Sequence, residues 1–116
     1  MAQVVVVLPW HLVRLTRASG REVCVEVEIP AGSRPTLGDV IDALAERDPV
    51  LATALREPVP GERPLDGRRF RLRPYIRAFA GSVDLTPAGL TAHLPSKCLD
   101  GREPVRFVGA IAGGTE

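Results

Sequence analysis

Apolar and polar residues alternate most cleanly in "EVCVEVEI", where Val23, Val25, Val27 and Ile29 point one way and Glu22, Cys24, Glu26 and Glu28 the other. A period of two predicts a strand with one buried and one solvated face. Ahead of it, Gln3 to Leu8 is a β-branched run of strand length, stopped by Pro9. The intervening "HLVRLTRASGR" is polar and glycine-bearing, with Leu12 and Leu15 at turn-of-helix spacing, and reads as a wide connection. The two strands are expected to pair antiparallel.

After "PAGSRP" the period changes. Leu37, Val40, Ile41 and Leu44 fall at i, i+3, i+4 and i+7, the stripe of an amphipathic helix. Thr36 is its expected N-cap, with Asp39 in the capping-box position. Asp39 and Asp42 near the start and Arg47 near the end suit the helix dipole. A second short helix is expected from Asp48-Pro49 through Arg56, because proline suits a first helical turn. Residues 57–68 hold three prolines and two glycines and read as a loop. "RFRLRPYIRAFAGSVDL" offers strands on both sides of a Gly81-Ser82 turn. "TPAGLTAHLPSK" is irregular, with one helical turn opened by Thr86-Pro87; Asp100-Gly101 makes a turn, and "VRFVGAI" is a closing strand.

Composition narrows the function classes. At 116 residues, 45% hydrophobic and 25% charged, the sequence suits one folded domain. A net charge of +1 gives no global attraction to nucleic acid or anionic membrane. The opening "VVVVL" is too short for a span and follows no basic leader, so the protein is expected in the cytoplasm. Cys24 and Cys98 fit neither a disulfide framework nor, with His11 and His93, a metal site; both are expected as reduced, partly buried thiols.

The order strand, strand, helix, loop, strand, turn, strand fits one helix covering one face of a mixed sheet. The compact α+β solution with that order is the ubiquitin-like β-grasp, with the first and last strands parallel at the centre. Near-continuous apolar runs in both strands suit that central place. The sequence resembles the ubiquitin-like sulfur carriers, which include the small subunit of molybdopterin synthase and the thiamin and cysteine sulfur carriers. The residues carrying the resemblance are the apolar first strand with "LP", "TLGDVIDALAERDP", "RPYIRAFAGSVDL", "LDGREPVRFV" and "AIAGG". Three features depart from that pattern: Gly81-Ser82 stands where Asn-Gly is usual, the stretch from Leu85 to Cys98 is long, and Thr115-Glu116 follow the second glycine.

The resemblance implies a β-grasp domain over residues 1–108 and a flexible tail over 109–116. It implies a carrier with no catalytic residues of its own, or the non-catalytic small subunit of a synthase. Gly114 would be the site of adenylation and thiocarboxylate formation, and Gly113, Ala112 and Ile111 would be recognised along the tail. No cofactor or metal is expected on the chain, since ATP and magnesium belong to an adenylating partner of the ubiquitin-activating type. A sulfur-accepting synthase in cofactor, cysteine or secondary-metabolite biosynthesis is the other expected partner.

The residue types suit that chemistry. A carboxylate is a poor electrophile until activated, and glycines enter a narrow channel that side chains would block. From Gly109 to Gly114 the backbone reaches roughly 20 Å. Ordering it costs on the order of 6–12 kcal/mol, so Ile111 and docking of the folded body must supply recognition. With Thr115 attached, Gly114 carries an amide rather than a carboxylate, which implies a processing peptidase.

Two rival readings stand beside this one. A ubiquitin-like interaction module or modifier without thiocarboxylate chemistry tolerates an inert tail. Arg63, Arg68, Arg69, Arg71, Arg73 and Arg77 suggest phosphate contacts, against which stand the small net charge and 4% aromatic content. Arg69, Arg71 and Arg73 fit docking to an acidic partner surface better. Cys98 beside Lys97 raises the prospect of a lowered thiol pKa, with plain loop placement as the simpler expectation. His11 and His93 are expected as surface or packing residues, and Trp10 and Phe79 as core or rim.

Overall fold

The structure is a computed structural model that describes residues 2–15, 20–29, 34–59 and 70–109. Strand β1 spans Ala2–Val7 and β2 Glu22–Val27, joined through a 3-10 turn at Trp10–Leu15. They pair antiparallel along their whole length, from Ala2 opposite Val27 to Val7 opposite Glu22. Helix α1 is Leu37–Arg47, α2 is Pro49–Leu55, β3 is Arg56–Pro58 and β4 is Phe70–Leu72. Next come β5 (Ile76–Ala80), β6 (Val83–Asp84), a 3-10 turn at Gly89–Thr91, α3 (Ser96–Leu99) and β7 (Val105–Gly109).

Five strands form one sheet in the order β2-β1-β7-β5-β6. Strands β1 and β7 lie parallel near its centre, with Val6 opposite Val105, as their apolar character predicts. The rest of the sheet is antiparallel. The β5–β6 hairpin turns at Gly81, whose φ of 60° suits glycine, and Gly101 turns at a φ of 80°.

Helix α1 begins where its residues dictate. The Asp39 backbone N–H donates to the Thr36 hydroxyl, and the Thr36 N–H donates to the Asp39 carboxylate at 2.8 Å. Both arms of the capping box are therefore closed. Residues 92–94 run against 35–37 and pin this end: Leu37 N–H donates to the Ala92 carbonyl, and Leu94 N–H to that of Pro35. The expected stripe of Leu37, Val40, Ile41 and Leu44 is fully buried. It belongs to one core with Val4, Val6, Val23, Val25, Ile76, Ala78, Val105 and Phe107 from the sheet.

Several expectations need correction. Strand β2 stops at Val27, and Ile29 is exposed rather than facing the core. Glu57 and Pro58, read as loop, extend β3, which pairs with β4 in a separate two-stranded sheet. Strand β7 is described as far as Gly109, which is buried; Ala110 and Ile111 of the expected closing strand lie outside the described residues. The central strands are not buried on both faces: Val5, Val7 and Val108 are only half-buried, because the helical layer covers one side. No helix among the described residues is long and apolar enough to cross a membrane.

Candidate functional site

Gly114, Gly113, Ala112 and Ile111 lie outside the described residues, as does Arg69. What the structure describes is Gly109, the last residue before that segment, and the surfaces around it. Strand β7 ends at Gly109, which is buried, and the His11 ring lies against its α-carbon. A Cβ built on Gly109 would meet the far end of that ring, so a side chain here requires the His11 ring to shift. Because β1 and β7 run parallel, the chain leaving β1 at Pro9, Trp10 and His11 flanks the end of β7.

Trp10 stands beside this contact. It was expected as core or rim, and the structure makes it rim: 68% of its surface is exposed. The Arg21 guanidinium lies 4.7 Å from the centroid of its ring. Arg21 is itself fixed, since its Nε donates to the Leu8 carbonyl at 2.8 Å while the Leu8 N–H donates to the Arg21 carbonyl. Leu8 and Leu12, on either side of Trp10, go to the core instead.

The face of the sheet away from α1 is open. Val5 and Val7 of β1, Val108 of β7 and Phe79 of β5 are half-buried there. Charged and polar residues stand among them: Arg106 lies opposite Val7 and Phe79, Arg77 opposite Val108, Cys24 opposite Val5 and Glu22 opposite Val7. This face mixes apolar side chains with guanidinium groups and belongs to the strand that leads into 110–116.

Arg71 and Arg73 occupy a different region, on and just after β4. Glu57 of β3 gathers both: the Arg71 Nε donates to Oε2 at 2.8 Å, and the Arg73 Nη1 lies 3.3 Å from Oε1. Arg73 Nε also donates to the Thr53 carbonyl at 2.7 Å, tying β4 to α2. Asp42, read as a helix-start charge, accepts from Arg56 Nη1, and Arg56 also stacks 4.2 Å over the Phe70 ring. These arginines therefore join α1, α2 and the small hairpin.

The cysteines divide. Cys24 is exposed on the open face, and Cys98 is completely buried. Burial pushes the Cys98 thiol up, with Glu103 and Asp100 adding to the effect, so the neighbouring Lys97 does not make it a nucleophile. His93 is exposed in a bridge to Thr36, and His11 serves as packing.

The Trp10–Arg21 stack and the fit of His11 onto Gly109 were missed in the sequence. A lone Trp directly after the strand-stopping Pro9 was the available signal for the first; no sequence period marks the second.

Compared with known proteins, no family model matches the chain, and no curated protein matches it in sequence. Among solved structures it is similar to the crystal structure of SAMP1 from Haloferax volcanii, with a TM-score of 0.62 at 21% identity. The match covers 97% of this chain and 99% of that one. At this identity the likeness is one of fold, and the fold is the ubiquitin-like β-grasp.

Proposed function

We propose that this protein is a ubiquitin-like sulfur carrier whose Gly114, once Thr115-Glu116 are removed, is adenylated and then converted to a thiocarboxylate. The observation that carries the reading is the pairing of two facts about one strand. Strand β7 is held in the centre of a ubiquitin-like sheet, and Gly113-Gly114 follow shortly after its last residue, Gly109. A rigid body with a side-chain-free pair at that reach suits delivery of a carboxyl group into a partner's buried site.

In the proposed sequence a peptidase first hydrolyses the Gly114–Thr115 bond. The freed carboxylate attacks the α-phosphorus of ATP in a partner of the ubiquitin-activating type, and pyrophosphate leaves. A sulfide donor then attacks the acyl carbon, AMP leaves, and a thiocarboxylate remains to pass sulfur to an accepting synthase. ATP, magnesium and the groups that stabilise the phosphoryl transition state belong to the partner. The chain's own contribution is docking, through the open face of Val5, Val7, Phe79, Val108, Arg77 and Arg106, with the exposed part of Arg71 as a secondary contact.

The test uses a chain ending at Gly114, incubated with the activating enzyme of the same host, ATP, magnesium and sulfide. The expected result is pyrophosphate release and the mass gain of one oxygen exchanged for one sulfur, with the Thr115-Glu116 form inert. A trimmed chain that releases no pyrophosphate and gains no mass overturns the proposal. Release of pyrophosphate followed only by capture of an amine supports the modifier reading instead.

A further inference from the structure

An enzyme that takes the Gly114 end must first engage the folded body, and one prepared feature stands beside Gly109, the last residue of β7. Trp10 is the sole tryptophan of a chain with 4% aromatic residues. It is highly exposed, yet its orientation is set from below by the stacked Arg21 guanidinium, which the Leu8 carbonyl holds in turn. Its neighbour His11 lies on Gly109, the last residue of β7. The ring adds nothing to the core, which Leu8 and Leu12 already fill at this corner.

We propose that Trp10 is the anchor by which the adenylating partner engages this chain, its ring entering an apolar pocket rimmed by carboxylates. Two observations commit the site to that occupant. The first is position: Trp10 precedes the residue that packs on the end of β7, so a protein covering it also reaches Gly109, five residues before Gly114 in sequence. The second is charge. The Arg21 guanidinium lies 4.7 Å from the ring centroid, and Arg14 is exposed in the same Trp10–Leu15 segment. Glu22, which follows Arg21 in sequence and opens β2 opposite Val7, is exposed. A cation stacked on an aromatic face calls for an acidic rim, and Trp and Arg are both enriched among the residues that dominate binding.

Preorganisation strengthens the argument. A ring already held by a guanidinium loses little rotamer freedom on binding, so more of its burial appears as affinity. That surplus is available to offset the cost of seating Gly113-Gly114 in the partner's site.

The inference rests on the carrier reading, and its test separates the two. Pyrophosphate exchange is measured for Gly114-ended chains with the activating enzyme of the same host. Trp10→Ala is expected to raise KM about 30-fold with kcat changed by less than about twofold, and Trp10→Phe to recover most of the loss. Because Trp10 is the only tryptophan, incorporated fluorotryptophan gives a single fluorine NMR resonance, expected to shift when the enzyme is added without ATP. A thermal melt of Trp10→Ala matching the parent shows that the fold is intact. If the parent is activated while Trp10→Ala keeps its KM and the resonance does not move, the anchor is overturned and the carrier reading stands. If the parent itself is not activated, both fall.

Discussion

The two faces of the central sheet are made from the same strands and do opposite work. Toward α1, Val4, Val6, Val23, Val25, Ile76, Ala78, Val105 and Phe107 are sealed from water. On the other side the alternate residues of those strands are Val5, Val7, Cys24, Arg77, Phe79, Arg106 and Val108, exposed or half-buried. Polarity alone does not separate the faces, since valines and a phenylalanine occur on both. Cover does: helix α1 can bury only one side of the sheet. The covered face supplies stability, and the open face keeps apolar surface interleaved with arginines, a composition suited to a partner.

Alternate residues of β7 test this most directly. Phe107→Ala empties a fully buried site in the layer against α1 and is expected to cost about 3–5 kcal/mol in denaturant unfolding. Val108→Ala, one residue on and on the open face, is expected to cost about 1 kcal/mol. Equal midpoints for the two variants would mean that the faces do not differ in the way described.

A smaller effect belongs to the strand's end. Gly109→Ala places a methyl group where the His11 ring lies, and an expected loss of about 1–3 kcal/mol follows from overpacking. Gly109 lacks a positive φ, so the cost is steric and not conformational. Adding His11→Ala should therefore restore most of the loss, and a double-mutant cycle on thermal melts measures the coupling. A Gly109→Ala protein as stable as its parent removes the close approach as the reason for glycine.

The covered face was legible in the sequence and the open one largely was not, for a physical reason. Burial of one face writes a period: every second residue of β2 and every third or fourth of α1 must be apolar, and Thr36 with Asp39 marks the helix start through bonds local in sequence. The parallel pairing of β1 with β7 also followed, from the order of elements. Other features depend on contacts distant along the chain. Glu57 lay in a loop by composition, because the Pro58–Gly61 neighbourhood hides a three-residue strand. That Arg71 and Arg73 pair with Glu57 could not be read, because nothing local shows which acid a long side chain will find. The tail glycines are plain in the sequence and lie outside the described residues.

The smallest expected effect sits at the sheet's outer edge. Asp84 of β6 is held below the usual carboxylate range, first by the Thr86 side chain and then by the Thr86 backbone N–H, which donates to its Oδ1 at 2.9 Å. A lowered folded-state pKa means the folded protein binds the proton less readily than the unfolded chain. The contribution is therefore complete above the unfolded pKa and is lost as pH falls through the folded one. Thr86→Val removes the larger cause and leaves the backbone donor, so the Asp84 carboxyl titration, followed by NMR, should move up toward the ordinary value without reaching it. Thr86 also joins β6 to β5, since its hydroxyl accepts from the Ala78 N–H at 2.9 Å, so the variant's overall stability will fall at every pH. The comparison that isolates Asp84 is thus Asp84→Asn against parent. Its unfolding midpoint should lie slightly below the parent's at neutral pH and converge with it in acid; a gap that widens as pH falls would reverse the sign and refute the assignment.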